Sequence, residues 1–177
     1  MDFNIEDNLE ITKLQLENSH VYKLPPMSSS EGHTLEDFKE LIFKGKLKIT
    51  VKGDYCLIYF IEEDNDKIFL IAVINYDINK IVTSVVGSTR YFTIKAMTIE
   101  KKLGIYGLAF KQRNDAFDFY NTLIDYRDKL KFEKNLAIDI NNENYQKKYT
   151  FNGFNDINIK NTKDKINKNE DNLNIKK

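Results

Sequence analysis

This chain has no tryptophan, and it has few of the residues that form disulfide bonds or bind metal ions. Among its 177 residues are one cysteine and two histidines. With Cys56 alone, no disulfide forms within the chain, so the sequence excludes a disulfide-bonded framework and favours a reducing cytosol. His20 and His33 have no second histidine or cysteine at metal-ligand spacing, which argues against a zinc site. We therefore expect neither a metal nor another cofactor.

Long apolar runs and a dominant charge are also missing. No stretch approaches the ~18–20 apolar residues of a transmembrane helix, and the acidic start of the chain lacks the order of a signal peptide. Lys and Arg balance Asp and Glu at 27 each. Residues 141–177 hold 8 Lys against 5 Asp and Glu, but neither part is basic enough for a nucleic-acid-binding protein. These features predict a cytoplasmic protein without a nucleic-acid partner.

Signatures of catalysis are absent as well. The sequence has no phosphate-binding glycine loop and no Gly-x-Ser-x-Gly elbow. Cys56 alternates with Ile58 and Phe60, so we expect it on the buried face of a strand, as a small hydrophobe and not as a nucleophile. The sequence thus predicts a protein that is not an enzyme.

Short apolar segments separated by turns fill the middle of the chain. Seven of them have the composition and length of β-strands. They are Val21–Leu24, Lys44–Lys52, Tyr55–Glu62, Ile68–Ile74, Ile81–Val86, Arg90–Met97 and Leu103–Lys111. In the last strand, Gly107 has no side chain, so we expect another group to pack closely against the backbone there.

A single helix follows these strands. Apolar residues at helical spacing predict it over roughly residues 115–131, with Asn114 as its N-cap and with Phe117 and Phe119 in the core. The expected fold class is therefore mainly β with one C-terminal helix: a seven-stranded barrel or orthogonal sandwich capped by that helix.

Three lysines mark one candidate site. Lys44, Lys46 and Lys48 alternate with apolar residues and share one face of the second strand. Clustered lysines attract phosphate, so they are candidates for binding a phosphorylated partner or an inositide head group. The alternative is an ordinary solvated face of an edge strand, where lysine discourages aggregation. The alternation alone favours this second interpretation.

The turn before the sixth strand holds a second candidate site. Arg90 is suited to pair with a phosphate or carboxylate while Ser88 and Thr89 donate hydrogen bonds. Alternatively, the Ser88 and Thr89 side chains and a salt bridge of Arg90 only stabilise the turn. Arg113 lies just before the predicted helix, where it either belongs to the turn or reaches a partner.

Four segments, in order and at suitable spacing, are similar to a known family. They are Val21-Tyr-Lys-Leu-Pro-Pro26, Gly45-Lys-Leu-Lys-Ile-Thr50, Ser88-Thr-Arg-Tyr-Phe-Thr-Ile94 and Gly107-Leu-Ala-Phe…Asp115-Ala-Phe-Asp-Phe119. Together they resemble the NECAP family, the adaptin-ear-binding coat-associated proteins, over roughly residues 18–131. The resemblance implies a pleckstrin-homology-like fold, a seven-stranded barrel capped by one helix.

The resemblance also implies a function. Family members are cytosolic accessory proteins of clathrin-mediated endocytosis, peripheral on clathrin-coated vesicles and the plasma membrane. Their domain binds the clathrin adaptor complex, in its activated form with a phosphorylated medium chain, and binds short Phe-containing peptide motifs. The adaptor contact of the family lies near the position of Ser88. A phosphoinositide-binding membrane-recruitment module that uses the lysine face is the alternative function.

The chain departs from the family after the domain. Family members carry a C-terminal Trp-x-x-Phe peptide that docks on the adaptor ear, and this chain has no tryptophan. It offers only Phe151-Asn-Gly-Phe154, which is either a short linear motif or a chance pattern. We expect three regions: a lead-in at residues 1–17, the pleckstrin-homology-like domain at 18–134, and a disordered Asn/Lys-rich tail at 135–177.

Overall fold

Seven strands and one α-helix make up the described part of the chain. A computed structural model describes residues 9–27, 30 and 32–150. The strands are β1 (Glu10–Lys23), β2 (Glu40–Lys52), β3 (Tyr55–Ile61), β4 (Ile68–Ile74), β5 (Val82–Ser84), β6 (Tyr91–Thr98) and β7 (Leu103–Phe110). The helix is α1 (Arg113–Thr150), and single 3-10 turns lie at Leu35–Asp37 and Ile78–Lys80.

The strands form one antiparallel sheet that closes on itself. Its order is β4-β3-β2-β1-β7-β6-β5, and an additional pairing of β4 with β6 joins the two sides. Six strands therefore close into a barrel, and β5 is a seventh strand that pairs with β6 alone. Closure removes the open edges that an antiparallel sheet would otherwise present. This is the predicted fold class, a pleckstrin-homology-like barrel with one C-terminal helix.

The core follows the alternation that the sequence predicts. In β2, Leu47 and Ile49 are fully buried, while Lys46 and Lys48, which alternate with them, face outward. In β3, Cys56, Ile58 and Phe60 share the buried face, as predicted. Side chains at alternate positions thus fill the barrel from every strand.

The first turns of α1 close one end of this core. Phe119 and Leu123 are completely buried within the same hydrophobic cluster as the strand residues. The Tyr126 hydroxyl lies 2.6 Å from the carbonyl oxygen of Asp54 and 3.2 Å from that of Ile74. The helix is thereby tied to the β2–β3 turn and to the end of β4.

Several predicted boundaries differ from the structure. β1 begins at Glu10, well before Val21, because Glu10 to Leu16 also pair with β2. The lead-in expected at residues 1–17 therefore includes strand. The N-cap prediction was wrong, since α1 begins at Arg113 and Asn114 lies inside it.

The helix is also longer than the sequence predicted, because it continues to Thr150. Two units divide the chain at Lys131. In the second unit, residues 132–150 are helical although residues from 135 were expected to be disordered. Phe151 and Phe154 lie outside the described residues.

Candidate partner-binding site

The β5–β6 loop has a defined internal structure. The Ser88 N–H donates to the Val85 carbonyl oxygen at 3.2 Å, which closes a turn that contains Gly87 at a φ of +81°. The Ser88 hydroxyl oxygen accepts from the Arg90 N–H, also at 3.2 Å. Serine side chains commonly stabilise turns in this way. The stabilising role foreseen for Ser88 is confirmed, while Thr89 is left exposed at the tip.

Arg90 connects the β5–β6 loop to Phe110, the last residue of β7, and to Lys111, which follows it. Its Nη1 donates to the Lys111 carbonyl oxygen at 2.9 Å, and its own carbonyl oxygen accepts from the Phe110 N–H at 3.1 Å. The side chain is therefore partly buried and held in place by backbone. Arg90 has donors left over, because a guanidinium carries five N–H groups.

A hollow of about 440 Å³ lies beside this loop; we call it the loop hollow, lined by Phe38, Ser88, Thr89, Arg90, Tyr91 and Arg113 among others. Two of its lining residues, Phe38 and Tyr91, belong to an aromatic cluster. The Phe38 ring packs edge-on against two tyrosines. Its centroid lies 5.6 Å from that of the Tyr22 ring and 5.1 Å from that of the Tyr91 ring. A Cβ at Gly107 would lie 2.7 Å from the Cδ1 atom of Phe38. The close approach predicted at Gly107 is thus made by Phe38.

A second and larger cavity adjoins the first. It has a volume of about 660 Å³, and we call it the aromatic groove, lined by Ser84, Ser88, Phe92, Arg113, Phe117 and Tyr120 among others. Phe92 and Tyr120 stack with their ring centroids 6.0 Å apart and an interplanar angle of 17°. The volume lies within the range of ligand-binding clefts in proteins.

Phe117 corrects one prediction. We expected it in the core, but its side chain is 66% exposed, whereas Phe119 is fully buried. At about 100° per residue, Phe117 lies roughly 120° from the centre of the buried stripe, so it borders the groove and not the core. The sequence contained this signal, because Phe117 is offset from the stripe that contains Ala116, Phe119 and Leu123.

The structure brings the four predicted partner-binding residues together. Ser88, Thr89 and Arg113 line both cavities, and Arg90 lines the loop hollow. Arg113 is exposed and makes no ion pair or side-chain hydrogen bond with any residue that the structure describes. Sequence reasoning missed Ser84 and Tyr120, since only the folded chain places the end of β5 beside α1.

The lysine face lies elsewhere on the barrel. Lys44, Lys46 and Lys48 face outward from β2, as predicted, but β2 is flanked by both β1 and β3. The edge-strand interpretation was therefore wrong. Lys46 forms an ion pair with Asp66 at 3.3 Å. The pKa of His20 is lowered mainly by burial and, to a smaller extent, by the positive charges of Lys44 and Lys111.

The described residues contain neither a cluster of metal-ligating side chains nor a reactive cysteine. No group of three or more His, Cys, Asp or Glu side chains there could hold a metal ion. Burial raises the pKa of the Cys56 thiol to about 12, so this cysteine is unreactive at neutral pH. In the same part of the chain, no helix is long and apolar enough to cross a membrane.

Comparison with known proteins decides the family. The family described as "Protein of unknown function (DUF1681)" matches residues 9–166, which is most of the chain. The chain belongs to this family. It is 31% identical over 109 residues to adaptin ear-binding coat-associated protein 2 of Mus musculus, covering 60% of this chain and 41% of the relative. It is 30% identical over 119 residues to adaptin ear-binding coat-associated protein 1 of Homo sapiens, covering 66% and 43%.

These matches confirm the resemblance to the NECAP family. The chain spans less than half the length of the curated relatives that it matches. The matched region contains the barrel, the loop hollow and the aromatic groove.

Proposed function

We propose that this NECAP-family chain is a non-enzymatic accessory protein of clathrin-mediated endocytosis that binds the clathrin adaptor complex and Phe-containing peptides. The relatives are named for binding the adaptin ear and for association with coats. One observation carries the proposal: Ser88, Thr89 and Arg113 line two adjoining cavities, one rich in polar groups and one rich in aromatic rings.

The loop hollow is suited to a polar protein surface. Arg113 is a free cation at its rim, and Arg90 is held with donors to spare. Arginine pairs strongly with carboxylate and phosphate groups because its planar fork matches their oxygens. We propose that an acidic or phosphorylated surface of the adaptor complex binds here.

The aromatic groove is suited to a phenylalanine side chain. Phe117 offers an exposed ring, and Phe92 and Tyr120, which stack on each other, line the same groove. Aromatic pairs stabilise a contact beyond the apolar area that they bury. We propose that the Phe of a peptide motif lies between these rings.

A pull-down from cytosol tests this function with the full chain as bait. We expect the wild type to recover clathrin adaptor subunits, and Ser88→Asn and Arg113→Glu to recover much less. Lys67→Glu is the matched control, because Lys67 is an exposed lysine in the β3–β4 hairpin that lines neither cavity. If all variants recover the adaptor subunits equally, the binding site lies elsewhere on the chain. If none of them recovers a subunit, the proposed function is wrong.

A phosphoinositide-binding module is the second candidate. Lys44 and Lys48 project beside Lys46 from one face, and neither forms an ion pair with any of the described residues. Juxtaposed lysines add attraction to an anionic membrane surface, and salt screens that attraction. Sedimentation with phosphoinositide vesicles tests it: binding that survives Lys46→Glu with Lys48→Glu, or that resists added salt, would rule it out.

A further inference from the structure

We propose that the Phe-containing partner binds as an added β-strand on the free edge of β5, with its Phe side chain in the aromatic groove. This inference rests on the proposed function, since it assigns a binding mode to the same groove. The partner is an extended, acidic peptide segment. It is held by backbone hydrogen bonds as well as by the Phe ring.

The edge of β5 carries backbone groups that face away from the barrel. The Val85 N–H donates to the Tyr91 carbonyl oxygen at 3.0 Å, and the Lys95 N–H donates to that of Ile81 at 2.8 Å. Because hydrogen-bonded pairs alternate along an antiparallel ladder, Thr83 also exchanges its bonds with β6. The N–H and C=O groups of Val82 and Ser84 therefore point outward.

Among the described strands, β5 is the one that has a neighbour on one side only along its whole length. Other strands are unpaired on one side over part of their length: β1 pairs with β7 only from Ser19 to Lys23, and β4 pairs with β6 only at Leu70 and Ile71. An uncovered edge is a template for pairing with another chain. Extended peptides commonly bind to such edges, with backbone bonds giving affinity and side-chain pockets giving specificity.

The aromatic groove begins where the edge ends. Ser84, the last residue of β5, lines the groove together with Phe117 and Tyr120 of α1. A peptide paired with β5 would therefore run between β5 and the first turns of α1. Side chains alternate along a strand, so every second residue of the peptide would point towards the groove.

Charge complementarity selects an acidic peptide. Among the residues that the structure describes, Arg113 is the one charged residue that lines the groove, and none of the lining side chains is a carboxylate. With no described partner of its own, this guanidinium is available to a peptide carboxylate. A basic peptide would instead meet an unopposed positive charge.

An N-methylation scan of a peptide tests the proposal without altering the protein. The probe is a synthetic ten-residue peptide with one central Phe, two Asp residues, and otherwise Ser, Thr and Gly. Each backbone N–H is methylated in turn, and affinity for the full-length chain is measured by fluorescence polarisation. We expect losses of about tenfold or more at alternate positions and little loss at the positions between.

Amide hydrogen exchange gives a second readout on the protein side. Binding should slow exchange of the Ser84 N–H, which faces outward in the free chain. Ser84→Pro removes that donor and should weaken binding about tenfold or more relative to Ser84→Ala, which removes the side-chain hydroxyl but keeps the backbone N–H. Equal affinity of the two variants would overturn the added strand. Because Ser84 does not exchange bonds with β6, the substitution to proline leaves the β5–β6 ladder intact.

The outcomes separate this inference from the proposed function. Binding that is lost in Phe117→Ala but is indifferent to every N-methyl group would keep the peptide function and overturn the added strand. Absence of binding by the unmethylated peptide would overturn both. Alternating losses, with protection of the Ser84 amide, would support both.

Discussion

Replacing Phe117 by alanine should weaken peptide binding strongly while leaving the barrel nearly as stable as before. The Phe117 side chain is 66% exposed. An aromatic side chain presents about 200 Å², so a peptide that covered the exposed part would bury about 130 Å² of it. At about 25 cal/mol per Å², complete coverage contributes roughly 3 kcal/mol, and half coverage roughly 1.5 kcal/mol. The dissociation constant should therefore rise between about tenfold and about a hundredfold.

The part of the Phe117 side chain that is already covered in the free chain sets an upper bound on how much the substitution lowers the free energy of unfolding. The covered third of Phe117 is about 70 Å², so its loss should lower the free energy of unfolding by no more than roughly 2 kcal/mol. Phe119→Ala is the matched control, because Phe119 is fully buried two residues away in the same helix. Loss of a buried phenylalanine costs roughly 3–5 kcal/mol.

Two assays separate these effects. Urea denaturation measures the free energy of unfolding of both variants, and fluorescence polarisation with the ten-residue peptide measures their affinity. The reasoning is refuted if Phe117→Ala destabilises the chain as much as Phe119→Ala does. It is also refuted if Phe117→Ala binds the peptide as tightly as the wild type.

The remaining predictions concern the barrel. Cys56 should not react with a thiol reagent at pH 8 until the chain is unfolded, because burial raises its pKa to about 12. Since the folded chain keeps this proton after the unfolded chain has lost it, stability should fall as pH rises from 9.0 towards about 12, and Cys56→Ala should reduce that slope in urea titrations. Tyr126→Phe removes the hydroxyl that contacts Asp54 and should lower the free energy of unfolding by roughly 1–2 kcal/mol. Gly107→Ala should cost roughly 1–3 kcal/mol because its Cβ meets the Phe38 ring, and an unchanged melting temperature would contradict this contact.

Alternation of apolar and polar residues was sufficient to predict the central strands β2 and β3. In β2 and β3, the residues expected inside are the buried ones, because the core imposes the same period of two on sequence and structure. The long β1 was missed for a physical reason. Its first half contains Ile11, Leu14 and Leu16, but a register irregularity between Thr12 and Leu14 breaks the alternation, so the period of two is not continuous there.

The site was predictable only in part. Arg90 and Arg113 were identified as candidate partner-binding residues at turns, but their convergence on one surface depends on β7 bringing the loop and the helix together. The sequence also did not show that β5 would be the strand left outside the closed barrel, since strand order is set by long-range pairing.

The most direct test of the account is the affinity of the purified full-length chain for a purified clathrin adaptor complex, measured by biolayer interferometry. The account predicts that the wild type and Lys67→Glu bind alike and that Arg113→Glu binds at least about tenfold more weakly, because it reverses the free cation shared by both cavities. Equal binding by Arg113→Glu, or no binding by the wild type, would contradict it.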